Sequence, residues 1–159
     1  MFNGKSSEVE NFHHRFMFQA YLLAEKAYDE GEVPVGAVIV HNNTIVGKGY
    51  NQVERLNDPT AHAEMIAISA ACDTLSSKYL SESTLYVTLE PCMMCSGAAV
   101  WSKMKTVVFG AMDEQSGGCG SRFNIAENKY LNHRIEIIQG VMEADCEYLL
   151  KTFFKEKRQ

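Results

Sequence analysis

The sequence has little proline and tryptophan, and it lacks a long apolar run. Its 159 residues include three prolines and one tryptophan, and no apolar stretch approaches the roughly 18 residues that span a membrane. The first residues, MFNGKSSEVENFHHRF, are polar and have no apolar segment of the kind found in signal peptides. No repeat, low-complexity tract or proline-rich linker divides the chain. We therefore expect one cytoplasmic domain over residues 1–159, with no membrane partner.

Charge and cysteine content restrict the function further. The formal net charge of −5 argues against a protein coated in positive charge for nucleic acid. A local basic patch is still present, because the last nine residues, KTFFKEKRQ, carry four basic side chains and one acidic one. Five cysteines in a reducing compartment argue against a framework of disulfides.

Hydrophobic periodicity predicts an alternation of helices and strands after an opening helix and hairpin. In the first helix, apolar residues recur at steps of three and four, and Gly31 follows at the position of a helix-ending glycine. The predicted elements are a helix over 8–30, hairpin strands near 35–41 and 44–50, a helix over 61–75, a strand over 84–90, a helix over 92–103, a strand over 106–110, a loop over 111–133 with room for a short helical piece, a strand over 134–140 and a helix over 142–157.

This order of elements predicts an α/β fold. The chain should form a mixed five-stranded sheet with helices on both faces, which gives three layers. The hydrophobic strand over 84–90 should be central, and we expect a functional site where strands end and helices start.

A cysteine pair carries the first chemical signal. In TLEPCMMC, Cys92 and Cys95 have C-x-x-C spacing and follow Pro91 directly. The pair alone is compatible with a redox dithiol, a structural zinc site or a catalytic zinc site. A zinc ribbon would need a second C-x-x-C, and the chain has none, since its other cysteines stand alone: Cys72, Cys119 and Cys146.

The stretch TAHAEMIA supplies the missing partners. His62 lies at the start of one predicted helix and Cys92 at the start of another, so the two first turns can meet on one side of the sheet. With Cys95, this makes three ligands and leaves a fourth position open, which indicates a catalytic metal site. A His-Cys-Cys set suits zinc. Glu64 is not needed as a ligand, and it could move the proton of an activated water.

The combined pattern H-x-E…P-C-x-x-C is the known signature of zinc-dependent nucleobase deaminases. Several longer blocks resemble one family, the bacterial tRNA adenosine deaminases, over roughly residues 10–158. They are VPVGAVIV (33–40), GYN (49–51), DPTAHAE (58–64), TLYVTLEPCMMCSGA (84–98), VVFGA (107–111) and NHR…G…FF…R in the last third. The resemblance implies a cytidine-deaminase-like fold and conversion of the wobble adenosine of a tRNA anticodon to inosine.

The resemblance also implies roles for individual residues. The ligands of one zinc ion per subunit match His62, Cys92 and Cys95, and the proton shuttle matches Glu64. The substrate-binding positions of the family match Asn51, Ala63, Asp113, Phe154 and Arg158. The family further implies a tRNA anticodon stem-loop as substrate and a homodimer as the assembly, with no DNA partner expected.

Two positions depart from the family pattern, and both concern RNA contacts. Met112 stands where the family has arginine, and Val53 stands where a proline is common. A protein of net charge −5 should bind phosphates on one face only. The candidates are Lys151, Lys155, Lys157 and Arg158, with Arg122 and Lys129 as weaker ones. The glycine-rich segment 117–120 is expected to be a flexible loop in which Cys119 is an incidental thiol.

Two alternatives remain open. A deaminase of a free base or nucleoside, such as guanine, cytosine or cytidine, would use the same zinc site without needing a basic last helix. A non-catalytic RNA-binding module stabilised by zinc would need the ligands but not Glu64.

Overall fold

The computed structural model describes residues 3–159, with side chains from residue 6 onward, so residues 1–2 of the expected domain lie outside the described part. The elements in chain order are α1 Asn3–Asp29, β1 Gly36–His41, β2 Thr44–Tyr50, α2 Val53–Leu56, α3 Ala63–Leu75, β3 Thr84–Leu89, α4 Met93–Trp101, β4 Thr106–Ala111, β5 Glu136–Gln139 and α5 Glu143–Lys157.

The strands form one five-stranded sheet in the order β2-β1-β3-β4-β5, which confirms the mixed sheet and the central strand. β1 is antiparallel to both β2 and β3. β4 is parallel to β3 and β5, so β3 and β4 both end at the same edge of the sheet. β2 ends at this edge too, because its last residue, Tyr50, pairs with Gly36 at the start of β1.

Helices cover both faces of the sheet, as the sequence predicts. On one face, Phe16, Met17 and Ala20 of α1 pack against alternate residues of the central strands, including Tyr86. On the other face, α3 and α4 bury an alanine-rich surface against the opposite set of strand residues: Ala37, Ile39, Leu85, Val87, Val107 and Phe109. Such alternation is what a sheet buried on both sides requires.

The turn residues behave as predicted. Asn42 and Asn43 join the hairpin with φ of 49° and 60°, which is the left-handed pair that a two-residue hairpin loop needs. Gly31 has φ of 79° just after α1, where a side chain would be strained. These residues therefore fix where α1 stops and where β1 turns back.

Apart from shifts of one or two residues at the ends of elements, the structure differs from the sequence prediction in three respects. α1 begins at Asn3 instead of residue 8, because a formed helix extends through polar residues that carry no apolar period. A four-residue helix, α2, lies within the polar segment 51–60. No helix forms within 111–133 among the described residues; that segment contains turns and isolated bridges. None of the described helices is long and apolar enough to cross a membrane.

Two glycines let α3 lie directly on β2. A Cβ at Gly49 would lie 2.2 Å from the backbone oxygen of Ala63, and one at Gly47 would lie 2.4 Å from that of Ala67. Contacts this short exclude any side chain unless the backbone moves. Because Ala63 is the first residue of α3, Gly49 sets the position of the helix start.

We expect Gly49→Ala to destabilise the protein by about 1–3 kcal/mol, the usual cost of overpacking a close contact. The added methyl group would meet backbone, which cannot rotate away. Denaturant unfolding measures the change. Lys48→Ala is the matched control, because Lys48 is the exposed neighbour on the same strand, and its free energy of unfolding should change by less than about 0.5 kcal/mol. Equal stability of the two variants would contradict the close-contact interpretation.

Candidate active site

Two helix starts meet at the edge where β3 and β4 end. His62 precedes the first turn of α3, and Cys92 precedes the first turn of α4, each with extended backbone. Cys95 lies one turn into α4. Nδ1 of His62 is 3.6 Å from Sγ of Cys92 and 3.6 Å from Sγ of Cys95. The structure thus brings together the three ligands that the sequence predicts.

The spacing of these three atoms fits a zinc ion. Zinc bonds to sulfur at about 2.3 Å and to nitrogen at about 2.0–2.1 Å, so tetrahedral geometry separates the two atom types by about 3.6 Å. The three ligand atoms lie within 4.8 Å of one another. No other group of three such side chains lies this close among the described residues. Two thiols and one imidazole are also the donor types that zinc prefers.

Each member of the cluster perturbs the others. The Cys95 thiol, as a hydrogen-bond partner, holds the pKa of Cys92 well below its usual range. The pKa of Cys95 is raised by the same contact and by burial. The hydrogen bond to Cys92 also raises the pKa of His62. Because a divalent cation is bound by deprotonated thiols, metal binding at this cluster would release protons.

Glu64 lies beside the cluster in the first turn of α3. It is buried, with 4% of its surface exposed. Burial raises the pKa of its carboxyl group, an effect that the nearby Cys95 thiol and His62 oppose. A carboxyl group shielded from bulk water next to three ligands is well placed to exchange protons with a bound water.

A cavity of about 860 Å³ opens above the cluster. Of the residues predicted to bind substrate, Asn51, Ala63, Asp113 and Phe154 line it together with Glu64. Asn51 is buried at the end of β2, where its backbone N–H donates to the oxygen of Val35 at 3.1 Å. The volume falls within the range of small-molecule sites.

Arg158 does not line this cavity. It lies in a neighbouring groove on α5, where it is accompanied by Lys151 and Lys155. Phe154 lines both the cavity and the groove, so the two are adjacent. Lys157 faces the main cavity instead. The two weaker phosphate candidates, Arg122 and Lys129, line neither.

Two buried carboxyl groups lining the cavity are missing from the predicted set. Glu32 accepts the backbone N–H groups of Glu54 at 3.2 Å and Arg55 at 2.8 Å, which holds the start of α2. Glu90 ends the central strand segment and is 2% exposed. An acidic residue at the end of a hydrophobic strand, directly before the cysteine motif, is the one sequence signal that could have identified Glu90.

The glycine-rich segment expected to be a flexible loop is closely packed. A Cβ at Gly117 would lie 2.2 Å from Oε2 of Glu90, and one at Gly118 would lie 2.6 Å from Oγ of Ser96. Cys119 is buried, with Sγ 3.3 Å from the same Ser96 oxygen. Its thiol lies outside the three-ligand cluster, and burial raises its pKa to about 12. Glycine is therefore required at both positions, because the side chains of Glu90 and Ser96 leave no space for a Cβ.

Comparison with known proteins places this geometry in a family. Residues 10–111 match the model of the cytidine and deoxycytidylate deaminase zinc-binding region. The chain is 50% identical over 143 residues to a tRNA-specific adenosine deaminase of Aquifex aeolicus, covering 90% of this chain and 94% of the relative.

Solved structures agree in fold. A structure from a study of A-to-I editing by tRNA:A34 deaminases at the wobble position superposes with a TM-score of 0.83 and 34% identity, over 86% of this chain and 99% of the other. A guanine deaminase of Bacillus subtilis matches with a TM-score of 0.60 and 42% identity, over 63% of this chain and 64% of the other. The fold, the matched region and the identity to full-length relatives show that the chain belongs to the zinc-binding cytidine and deoxycytidylate deaminase family, and within it to the tRNA-specific adenosine deaminases.

Proposed function

We propose that this protein hydrolytically deaminates adenosine to inosine at the wobble position of a tRNA anticodon. The observation that carries the proposal is the His62, Cys92 and Cys95 cluster, which lies beside buried Glu64 at the floor of a cavity. The identity to a tRNA-specific adenosine deaminase supports the choice of substrate. Since tRNA is used in translation, we place the enzyme in the cytoplasm.

The three ligands would hold one zinc ion per subunit. The equal 3.6 Å separations of the histidine nitrogen from both sulfurs support this assignment. Zinc bound there would act as a Lewis acid that lowers the pKa of a water to about 7. Because the protein supplies three ligands, such a site would still have room to bind water.

Glu64 is the proposed proton shuttle. Deamination adds the oxygen of water to C6 of adenine and releases the amino group as ammonia. Glu64 would take a proton from the attacking water and return protons to N1 and to the departing amine. Its burial in the first turn of α3 keeps this exchange away from bulk solvent.

Base recognition is assigned to the cavity walls. Asn51 and Ala63 line the cavity, and we assign to the Asn51 amide and the Ala63 backbone the hydrogen bonds to the edge of a purine. Val33 and Leu89 supply apolar surface on which the ring can lie. An anticodon loop presents its bases unpaired, so extruding one costs at most about a few kcal/mol.

The basic groove on α5 is proposed to bind the backbone of the stem-loop. Lys155 and Arg158 form none of the ion pairs found among the described residues, whereas Lys151 is paired with Glu147 at 3.6 Å. Phe154 lies between groove and cavity and can stack on a neighbouring base. The charged residues that line the cavity are six acidic residues and one lysine, Lys157, and this excess of acidic residues favours an uncharged base over a phosphate: Glu30, Glu32, Glu54, Glu64, Glu90 and Asp113.

A homodimer is proposed as the functional assembly. The outer face of α4 carries Met93, Gly97 and Trp101 at steps of four, and Trp101 is 84% exposed. A Cβ at Gly97 would meet nothing within 4 Å, so the middle of this face is open. The nine-residue helix contains no charged side chain. Such a face suits a second copy of the chain.

A second candidate is deamination of a free base. The similarity to the guanine deaminase of Bacillus subtilis favours it, because that chain matches at 42% identity. A free base would fill the acidic cavity but would leave the basic groove on α5 without a role. A zinc-stabilised RNA-binding module without activity is the third possibility. It would leave Glu64 without a role.

The deciding experiment incubates purified zinc-loaded protein with a tRNA anticodon stem-loop that carries adenosine at the wobble position. Formation of inosine is expected. Free guanine, cytosine, cytidine and adenine are assayed in parallel. Turnover of a free base without turnover of the stem-loop would replace the proposed function by the second candidate.

Glu64→Ala should retain zinc and fold but lower kcat on the stem-loop by at least about 10²–10⁴-fold, the contribution of a positioned acid–base group. Metal content and single-turnover inosine formation are the measurements. Cys95→Ser is the paired variant, because it removes a thiolate ligand and should lose zinc as well as activity. Near-normal turnover by Glu64→Ala would contradict the proposed shuttle.

The double variant Lys155→Gln/Arg158→Gln should weaken stem-loop binding and make it less sensitive to salt. Each lost phosphate contact lowers the slope of log affinity against log salt by about 0.7–0.9. Fluorescence anisotropy at several salt concentrations measures this slope. Lys78→Gln, an exposed lysine beyond the far end of α3, is the matched control and should leave the slope unchanged. The same slope in both variants would argue against RNA binding in the groove.

Trp101→Glu should shift the protein from dimer to monomer, because a carboxylate would be buried in an apolar contact. Light scattering coupled to size exclusion measures the mass. Tyr148→Glu, which changes a 73% exposed aromatic residue on α5, should stay dimeric. A monomeric wild-type protein would contradict the dimer proposal. A dimeric Trp101→Glu variant would show that the interface does not lie on this face of α4.

A further inference from the structure

Glu90 is a buried carboxyl group that the proposed chemistry does not use. Its exposed fraction is 2%, and it follows β3 directly, two residues before Cys92. It takes part in none of the ion pairs found among the described residues. Hydrogen-bond donors surround it instead: the backbone N–H groups of Asp113 at 3.3 Å, Cys119 at 3.1 Å and Ser121 at 3.1 Å, and the hydroxyl of Ser121.

These donors come from both ends of one loop. Asp113 begins the loop just after β4 and Ser121 ends it, so the segment 113–121 wraps around a single carboxyl group. Gly117 packs against the carboxyl group so closely that a Cβ there would overlap Oε2. Several backbone N–H groups of the loop therefore converge on one carboxyl group, as they do in the anion-binding turns called nests.

The same loop is pinned to the helix that carries the cysteines. The N–H of Gly118 donates to the backbone oxygen of Pro91 at 2.7 Å, and Gly117 forms a bridge with Cys92. Glu90 belongs to the short segment between β3 and α4, so its bonds join the loop to the start of α4. The position of the loop relative to the metal ligands therefore depends on this carboxyl group.

The loop forms one wall of the cavity. Asp113 and Ser116 line the cavity opposite the start of α3. The carboxylate of Asp113 accepts the N–H groups of Gln115 and Ser116, both at 3.1 Å, which keeps this part of the wall in one conformation. Movement of the N–H of Asp113 away from Glu90 would shift both residues.

We propose that Glu90 is a positioning residue for the substrate: its carboxylate anchors the 113–121 loop to the start of α4 and so fixes the cavity wall that carries Asp113 and Ser116. The inference rests on the proposed function, because it assigns this wall to RNA binding. A carboxylate is required there, since every group facing it is a donor and an amide would direct its own N–H₂ at backbone N–H groups.

Loss of the Glu90 carboxylate should weaken substrate binding more than it slows the chemical step. Glu64 and His62 lie at the start of α3 and the two cysteines at the start of α4, and none of these four residues donates a hydrogen bond to Glu90. Asp113 and Ser116 line the cavity in which the proposed function places the RNA base. Loss of the anchor should therefore raise KM for the stem-loop, leave kcat within about threefold and leave the zinc content unchanged.

The test compares Glu90→Gln with Tyr86→Phe at a temperature well below the unfolding transition of both. Tyr86 is equally buried in β3, faces α1, and bonds His13 with its hydroxyl at 2.9 Å, so Tyr86→Phe removes a buried hydrogen bond on the other face of the sheet. Glu90→Gln should raise KM by about tenfold or more, the order expected from one lost charge-assisted hydrogen bond. Tyr86→Phe should leave KM unchanged.

Amide hydrogen exchange supplies a readout that does not depend on activity. Either the N–H of Asp113 or those of Cys119 and Ser121 should exchange at least about tenfold faster in Glu90→Gln, because one of the two oxygens that accept from them becomes an amide NH₂. If Glu90→Gln does not fold, Ser121→Ala tests the same anchor more gently. It removes only the hydroxyl donor, and it should raise KM by about two- to threefold with faster exchange in 113–121.

The outcomes distinguish failure of the role of Glu90 from failure of the proposed function. An unchanged KM, unchanged exchange in 113–121, or an equal rise of KM in Tyr86→Phe would each overturn the role of Glu90. Loss of zinc in Glu90→Gln would also overturn it, since the carboxyl group would then support the metal cluster. A wild-type protein that does not deaminate the stem-loop would instead overturn the proposed function, whatever exchange shows.

Discussion

The convergence of two helix starts at one sheet edge is the constraint on which the rest of the site depends. β3 and β4 are parallel and end together, and α4 begins immediately beyond β3. α3 reaches the same edge because Gly47 and Gly49 allow it to lie directly on β2. As a result, His62 meets both cysteines with equal 3.6 Å separations, a geometry that neither helix could provide alone.

Two buried carboxyl groups hold the segments on either side of that cluster. Glu32 caps the short helix α2 next to Asn51, and Glu90 gathers the loop that begins at Asp113. Burying a carboxylate without a cationic partner costs free energy unless several hydrogen bonds compensate, and backbone N–H groups supply them in both places. Segments without regular structure thereby obtain defined positions around the cavity.

Charge is divided between the cavity and the groove beside it. The charged residues that line the cavity are mostly acidic, while the adjacent groove on α5 carries Lys155 and Arg158. Phe154 lies at the boundary. α5 is held against α1 by contacts of Tyr28, which bonds Glu156 and stacks edge-on with Phe153 at 5.8 Å. A net charge of −5 is therefore compatible with a locally basic surface beside a cavity that carries several acidic residues.

Sequence alone determined the order of the strands and of the longer helices, the central strand and the members of the His-Cys-Cys cluster, because periodicity, turn residues and the H-x-E…P-C-x-x-C spacing are local signals. Only the tertiary structure decided the contacts of Glu90, since its donors lie 23–31 residues further along the chain. It also decided that Arg158 lies outside the main cavity and that Gly117 and Gly118 are packed tightly. Long-range contacts of this kind leave no periodic trace, because they depend on where loops meet after the sheet has formed.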